Sequence, residues 1–344
     1  DFLDLVALGT VADVAPLTGV NRAFVRQGLK ILSNRKRLGL KFLFDKSGIN
    51  SSPTSYHLGY ILGPKLNAPG RIGPADLALK LLCSISTSEA NNLCEQIEEL
   101  NRKRREIENI AREQALAQID KNQSENSIIW AASEGWHPGV VGIVASRLKD
   151  KFNKPSIVIG FDGIDGKGSG RSVDGYDLGH AIQRLQREGL IQQGGGHKMA
   201  AGLSLTMDQL KPAMDRLCEL AEKAKIVNAE AQELLVDGIL FIQAAKIDLI
   251  EELENCGPFG SAIREPRFAF CDVSLSFTKS VGDNHLKFRF SDDNGKSMDA
   301  ICFRAFEGNL GQELSDHDGK KVHLVGKLDI NYWQGKNSKT RNIR

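Results

Sequence analysis

The segment Gln193-Gly194-Gly195-Gly196-His197-Lys198-Met199-Ala200-Ala201-Gly202-Leu203 places three consecutive glycines directly before a histidine. Three glycines in a row are costly to order unless the backbone must be approached closely. A lone histidine is more often structural, but a histidine in this position can donate a hydrogen bond to a phosphate oxygen. We therefore interpret Gly194 to His197 as a phosphate-binding loop.

A second glycine-rich segment lies upstream, Gly166-Lys167-Gly168-Ser169-Gly170-Arg171-Ser172. Its backbone can turn N–H groups toward an anion, and it adds a hydroxyl and a guanidinium, which are phosphate-binding groups. The alternative is a flexible hairpin turn with an incidental arginine. Two such segments together predict a phosphate site and indicate a protein that processes nucleic acid.

The residues around these segments predict a compact α/β domain. Two short β-rich runs, 128–131 and 156–160, flank a helical stretch at 140–149, and the order strand, helix, strand is typical of this class. Trp136 and His137 either hold the turn into that helix or act in binding. Arg147 lies late in the helix, where a cation also favours the helix dipole, and we favour phosphate binding for it.

A long helix is predicted from Ser86 to about Asp120. Ser86 and Glu89 form a capping box, and the run from Arg102 to Arg105 is interpreted as a solvated face, with a basic wall beside a substrate channel as the alternative. The apolar residues that recur at helical spacing form one predicted buried stripe: Leu93, Ile97, Leu100, Ile107, Ile110 and Ala111.

The region after about Asp237 alternates apolar and polar residues in short runs, with polar turns between them. This pattern predicts a small β-barrel. Phe288 and Phe290 are interpreted as barrel core, and Trp333 beside Lys336 is the better candidate for a surface contact with a nucleic-acid strand.

The bulk composition is that of a globular protein. A length of 344 residues predicts two or three domains. The net charge of only +2 means that attraction to nucleic acid must come from local clusters of Lys and Arg. Six cysteines without a Cys-x-x-Cys pair argue against a zinc site or a disulfide framework and favour a reducing cytoplasm. No membrane span or signal peptide is predicted, and the chain, which opens on Asp1, reads like a fragment of a longer one.

The phosphate-binding segments, with the segment 134–148 before them, resemble the DHHA1 domain of the DHH phosphoesterase superfamily, and most of all its RecJ family of single-stranded-DNA exonucleases. The resemblance extends backward to Asp4-Leu5-Val6-Ala7-Leu8-Gly9-Thr10-Val11-Ala12-Asp13 and to Leu62-Gly63-Pro64-Lys65-Leu66-Asn67-Ala68-Pro69-Gly70-Arg71. It extends forward to Cys256-Gly257-Pro258-Phe259-Gly260. It therefore covers nearly the whole chain.

The resemblance implies an α/β multidomain fold with four parts. Residues 1–85 would be the C-terminal part of a DHH α/β domain, and 86–122 a connecting long helix. Residues 123–226 would be the DHHA1 α/β domain, and 227–344 an OB-fold β-barrel.

Residue roles are implied in the same way. Asp13 would help to hold a pair of Mn²⁺ or Mg²⁺ ions. Four residues match positions that grip the phosphate at the 5′ side of the DNA, and three match positions along the path of the strand: Ser169, Arg171, Gly196 and His197 in the first group, Asn67, Arg71 and Arg147 in the second.

The implied activity is a 5′-to-3′ exonuclease specific for single-stranded DNA that acts in repair and recombination by two-metal hydrolysis, with a single-stranded-DNA-binding protein and a helicase as implied partners. In the family the other metal ligands come from Asp-x-Asp, lone Asp and Asp-His-His motifs, which we expect upstream of Asp1. A lone carboxylate cannot hold two divalent ions, so we expect this fragment to be inactive alone. The alternatives are a non-catalytic binding module and a short DHH oligoribonuclease or nucleotide phosphatase.

Overall fold

The computed structural model describes residues 2–119, 125–224, 233–282, 284–317, 319–332 and 339–343. Its contacts divide the chain into two compact units. The first comprises residues 1–34, 52–59 and 232–344, and the second residues 35–51 and 60–231. Each unit has its own sheet.

The helices are numbered here in chain order, and a π-helical turn at His57–Leu62 precedes the fourth. They are α1 (Leu3–Ala12), α2 (Gly19–Ser33), α3 (Leu38–Lys46), α4 (Gly63–Ile72), α5 (Leu77–Cys83), α6 (Thr87–Gln118), α7 (Pro138–Phe152), α8 (Leu178–Arg187), α9 (Leu210–Lys223), α10 (Ile247–Asn255) and α11 (Leu310–Ser315).

The strands fall into two sheets. The second unit holds β1 (Ile129–Glu134), β2 (Ser156–Asp162), β3 (Asp165–Arg171), β4 (Gln193–His197) and β5 (Ala200–Thr206). The first unit holds β6 (Gly238–Ile239), β7 (Phe268–Val281), β8 (His285–Ser291), β9 (Ser297–Cys302), β10 (Lys321–Gly326), β11 (Leu328–Tyr332) and β12 (Lys339–Ile343).

The sheet of the second unit has the strand order β1-β2-β3-β5-β4, with β1 and β2 parallel and the other neighbours antiparallel. The connection from β1 to β2 is α7, so the predicted order of strand, helix and strand is confirmed. The sheet is covered on both faces: Ile157 and Ile159 pack with residues of α8 and α9, whereas Val158 packs with residues of α6 and α7. The alternation of a strand places successive side chains in these two opposite layers.

The helix starts of this unit follow from local capping. Ser86 accepts a hydrogen bond from the backbone N–H of Glu89 and begins α6 at the predicted residue. The carboxylate of Glu89 accepts from Ser84 Oγ at 2.6 Å, so only half of the predicted capping box is formed. His137 accepts one from Gly139 N through Nδ1 at 3.0 Å and begins α7. Such a side-chain acceptor satisfies an N–H that the first turn of a helix leaves free. His137 therefore has a structural role. So has Trp136, which is buried and donates from Nε1 to Gln114.

The long helix α6 is confirmed, but part of its predicted buried stripe is wrong. Ile110 is 57% exposed. The polar residues Asn101, Arg104 and Glu108 are buried instead, where α6 contacts α4 and α7. Arg104 therefore does not belong to a solvated face, because its guanidinium is held inside by Glu108 and Asn101.

The first unit combines helices α1 and α2 with a seven-stranded sheet. The sheet order is β10-β7-β8-β9-β12-β11, and β6 pairs with β7. Its core includes Phe270, Phe288 and Phe290, so the interpretation of Phe288 and Phe290 as core is confirmed. Alternating buried and exposed residues along β8 are what gave the sequence its barrel pattern.

The predicted domain boundaries stay predictions, since those at 122 and 226 fall outside the described residues. Among the residues that the structure describes, no helix is both long enough and apolar enough to cross a membrane.

Candidate phosphate-binding site

The two glycine-rich segments become neighbouring strands of one sheet. Arg171 on β3 pairs with Ala200 on β5, which pairs with His197 on β4. Adjacent strands lie about 4.8 Å apart, so the backbones at Arg171 and His197 are separated by roughly 10 Å. Two residues earlier on β3, Ser169 is in register with Gly202 on β5, which is in register with Gly195 on β4.

Ser169 and Arg171 lie on the face of the sheet that α7 covers. A Cβ added to Gly142 of α7 would lie 3.0 Å from both Arg171 Nη2 and Ser169 Oγ. The alternate residues face the other layer, since a Cβ on Gly170 would lie 2.7 Å from Leu178. Glycine at 170 thus serves close packing under α8, whereas glycine at 142 leaves room for the guanidinium.

The α7 face is open beyond β3. A Cβ on Gly195 would meet no heavy atom within 4 Å, and one on Gly202 would meet only Gly168 O, at 3.9 Å. We call Gly195 and Gly202 the glycine floor. Because residues in register share a face, the floor lies beside Ser169, next to the row formed by Arg171, Ala200 and His197. It exposes backbone to a ligand where any other residue would place a side chain.

Gly196 has a different role. Its φ of +152° is unfavourable for other residues, and an added Cβ would lie 2.4 Å from Ala200 O. Its backbone also lies against α8, since a Cβ on Gly179 would be 2.9 Å from Gly196 C. Gly196 therefore fixes the end of β4, which carries the exposed side chain of His197.

Arg171 is a partly buried cation. Its Nη1 donates to Ser169 Oγ and to Gly170 O, each at 2.9 Å. Burial lowers the pKa of Arg171, and the positive charge of Arg71 lowers this pKa further. Within the described part of the chain no carboxylate pairs with Arg171. A desolvated cation beside a second cation is an arrangement that an anion stabilises.

Arg71 belongs to the same cluster and comes from α4. Its Nη1 donates to Gly139 O of α7 at 3.0 Å, and a Cβ on Gly139 would lie 2.1 Å from Arg71 O. This close approach of α4 to α7 brings Arg71 toward Arg171. Asn67 is exposed one turn earlier on α4, on the same side of the helix.

Arg147 lies further along α7 and is 48% exposed. Its Nε is 3.6 Å from Oε1 of Glu108 on α6. The structure thus brings Ser169, Arg171 and Arg71 together and places His197 two strands from Arg171, in register with it through Ala200. It places Arg147 beside the buried residues of α6.

The remaining predicted site residues belong to the first unit or lie outside the described residues. Asp13 is exposed and follows the last turn of α1 in the first unit. Among the described residues no group of three or more His, Cys, Asp or Glu could hold a metal ion. A divalent ion takes about six oxygen ligands, so the residues present do not fit a metal pair. Trp333 and Lys336 lie outside the described residues.

Sequence reasoning missed several parts of this site. The glycine floor needs Gly195 and Gly202 on adjacent strands, which only the strand register shows. Ser172, read as part of the phosphate segment, is buried and donates to Tyr176 O at 2.9 Å. The sequence shows that Arg104 and Glu108 are opposite charges four residues apart on one helix, but it does not show that they are buried.

Comparison with known proteins supports the resemblance to the DHHA1 domain and to RecJ. Residues 125–223 match the family model of the DHHA1 domain, and residues 236–344 match that of the RecJ OB domain. The chain is 32% identical over 341 residues to the single-stranded-DNA-specific exonuclease RecJ of Bacillus subtilis, and 35% identical over 350 residues to that of Escherichia coli. Each alignment covers 98% of this chain. The chain belongs to the RecJ family.

The fold agrees with that of RecJ structures. The crystal structures of Thermus thermophilus RecJ in complex with Mg²⁺ and with Mn²⁺ match with TM-scores of 0.81 and 0.83 at 26% identity. Each match covers 99% of this chain and about half of the other, 51% and 49%. The chain likewise spans 42% of the Bacillus subtilis RecJ and 59% of the Escherichia coli RecJ. It carries the DHHA1 and OB domains of the family.

Proposed function

We propose that this chain grips single-stranded DNA for a 5′-to-3′ exonuclease of the RecJ type. The observation that supports this proposal most directly is the partly buried Arg171, which lies beside Arg71, has no carboxylate partner among the described residues and borders the glycine floor. A phosphate at the floor would lie beside Ser169 and next to the row that holds Arg171 and His197.

Phosphate fits this arrangement for two physical reasons. Hydrogen bonds between a guanidinium and an anionic oxygen are about twice as strong as neutral ones, and burial of Arg171 lowers the screening that would weaken them. The glycine floor lets the phosphate approach the backbone. Gripping one phosphate fixes which neighbouring bond can be cleaved, and such positioning can be worth ~7 kcal/mol or more.

The rest of the strand would follow the exposed polar residues of α4 and α7. Asn67, Arg71 and Arg147 are placed to meet successive phosphates, and they provide the local positive charge that a net charge of +2 requires. A second grip on the OB domain through Trp333 and Lys336 is part of the proposal. So are a single-stranded-DNA-binding protein and a helicase as partners.

Catalysis would belong to the longer protein. RecJ structures hold Mg²⁺ or Mn²⁺, and Asp13 would contribute one carboxylate to a divalent-metal site whose other ligands lie outside this chain. The fragment alone would then be inactive. The setting that we propose is DNA repair and recombination in the cytoplasm, consistent with six free cysteines.

The test compares ligands that differ in one feature. We expect this chain to bind a fluorescent single-stranded oligonucleotide with a 5′-phosphate more tightly than the unphosphorylated strand, and both more tightly than duplex of the same sequence. Fluorescence anisotropy at two salt concentrations measures this. Equal affinity for single strand and duplex would contradict the proposal.

A non-catalytic binding module is the second candidate, since the described residues hold no metal-binding group. Digestion of the oligonucleotide in the presence of Mn²⁺ separates the two. A protein that extends this chain upstream with the missing motifs should degrade the strand from its 5′ end. Binding without degradation by that longer protein would favour the module.

A further inference from the structure

Two arginines of the second unit contact one buried carboxylate, that of Glu108. Arg104 and Glu108 of α6 are each less than a tenth exposed. Arg104 Nη1 donates to Glu108 Oε2 at 2.5 Å, and its Nη2 donates to Asn101 at 2.8 Å. Burial lowers the pKa of Arg104, Glu108 raises it, and the positive charges of Arg105 and Arg71 lower it further. Burial and then the charge of Arg71 lower the pKa of Arg171.

Glu108 also reaches Arg147. Its Oε2 accepts from Arg104, while Oε1 lies 3.6 Å from Arg147 Nε. The two contacts differ in strength, because the Arg104 pair is buried and short whereas Arg147 is 48% exposed. Glu108 is thus fixed by Arg104 and holds Arg147 loosely from that fixed position.

We propose that Glu108 is a positioning residue that occupies Arg147 in the free protein and yields it to a phosphate of the bound strand. The inference rests on the proposed function, since it takes Arg147 to be a strand contact. An ion pair at this separation whose arginine is half-exposed contributes little, so a phosphate with bidentate geometry displaces the carboxylate from Arg147. The carboxylate then keeps Arg104 as its partner and is never left buried without one.

Glu108 would then lower the affinity of the free protein for the single strand. Its oxygen competes with the phosphate for Arg147. Replacing Glu108 by Gln removes the charge, and the amide oxygen still accepts from Arg104. We expect Glu108→Gln to bind a single-stranded oligonucleotide about 3-fold more tightly at low salt, since exposed pairs are worth up to ~1 kcal/mol, or about 5-fold.

A double-mutant cycle with Arg147→Ala separates this role from a structural one. Arg147→Ala alone should weaken binding, and Glu108→Gln should then add no gain in the Arg147→Ala background. The control is Glu113→Gln, which removes one charge from an exposed position of the same helix and should leave the affinity unchanged. A gain that persists without Arg147, or that equals the control, would overturn the inference.

The outcomes of these experiments distinguish a failure of the inference from a failure of the proposed function on which it rests. If Arg147→Ala weakens binding but Glu108→Gln changes nothing, only the inference fails; if Arg147→Ala has no effect, the proposed strand path fails. Should Glu108→Gln not fold, arginine side-chain NMR of the unaltered chain gives the answer. The Arg147 Nε–H resonance should shift on addition of oligonucleotide while that of Arg104 stays in place, and an unshifted Arg147 resonance would overturn the inference.

Discussion

Arg171 is the residue on which the proposed phosphate grip depends most. Hydrogen bonds to a charged group are worth about 1.5–3 kcal/mol, so Arg171→Ala should weaken binding of a 5′-phosphorylated strand by about 10- to 100-fold. Stability should not fall, because burial already disfavours this cation. Anisotropy and thermal unfolding measure the two effects.

The matched control for Arg171 is Arg187→Ala, which removes the same charge from an exposed position of α8, in the opposite layer of the unit. That variant should bind as the unaltered chain does. Unchanged affinity in Arg171→Ala would show that the buried guanidinium does not bind the strand.

The adjacent glycines 195 and 196 predict opposite phenotypes. Gly196→Ala would place a Cβ 2.4 Å from Ala200 O at a φ of +152°, so it should destabilise the protein by about 1–3 kcal/mol. The added methyl group of Gly195→Ala would meet no atom within 4 Å, so this variant should have a stability within about 0.5 kcal/mol of the unaltered chain.

The methyl group of Gly195→Ala would nevertheless fill the glycine floor and weaken strand binding. Urea denaturation and anisotropy check the pair, and full strand affinity in Gly195→Ala would exclude the floor as the phosphate site.

At the scale of elements, α8 is tied to α9 by one carboxylate. Glu188 at the end of α8 accepts from Arg216 of α9 and from Arg184, and these hydrogen bonds lower the pKa of Glu188 from 4.5 to about 2. A lowered pKa means that the contribution to stability is complete above about pH 4.5 and is lost as the pH falls toward 2.

This linkage predicts how acid acts on the second unit. The thermal midpoint of the unaltered chain should fall between pH 6 and pH 3 by more than that of Glu188→Gln, which has no carboxylate to protonate. Glu222→Gln, at an exposed position of α9, should behave like the unaltered chain. Parallel pH dependences for the chain and Glu188→Gln would refute the linkage.

Helix α6 shows what the sequence can and cannot predict about an element. Its start was predictable because the contact between Ser86 and Glu89 is local. Its buried face was not, because the run through Asn101, Arg104 and Glu108 has the same helical spacing as the apolar stripe toward Ile110. Packing against α4 and α7 selected the polar run, and a pair that neutralises itself can be buried there.

The candidate site likewise has a part that the sequence predicts and a part that it does not. Two glycine-rich motifs were enough to predict the residue types of a phosphate site, namely Ser169, Arg171 and His197. The glycine floor was not, because it depends on the register of β3, β5 and β4. Spacing along the chain predicts which residues share a strand face, but only pairing between strands shows which of them are neighbours.

At the scale of the whole molecule, the two units carry different parts of the proposed function. The second holds the candidate phosphate site, and the first holds Asp13 and the OB domain. The first unit is built from distant parts of the chain. Its segment 255–261, which contains the motif from Cys256 to Gly260, lies against α2, and the hydrogen bonds between them join residues up to 234 positions apart.

Two arginines of α2 make that connection. Arg26 donates from Nε to Gly257 O at 3.1 Å and from Nη2 to Asn255 O at 2.9 Å, and Arg22 donates to Cys256 O. Leu17 N donates to Ser261 O at 2.8 Å nearby. The carbonyls of Asn255, Cys256 and Gly257 lie at the end of α10 and just beyond it. The last turn of a helix leaves its carbonyls without partners in the helix, so the arginines cap α10 and attach it to α2.

Arg26→Ala should therefore loosen the first unit and leave the second intact. Loss of hydrogen bonds from a charged donor should lower the stability of the first unit by about 1–2 kcal/mol. Hydrogen exchange should accelerate at Leu17 N–H and in α10, while the amides that pair β2 with β3 keep their protection. Arg264→Ala, an exposed arginine of the same unit, serves as the control. Equal acceleration in both units would mean that they unfold together, and an unchanged rate at Leu17 would mean that α2 does not hold the segment 255–261.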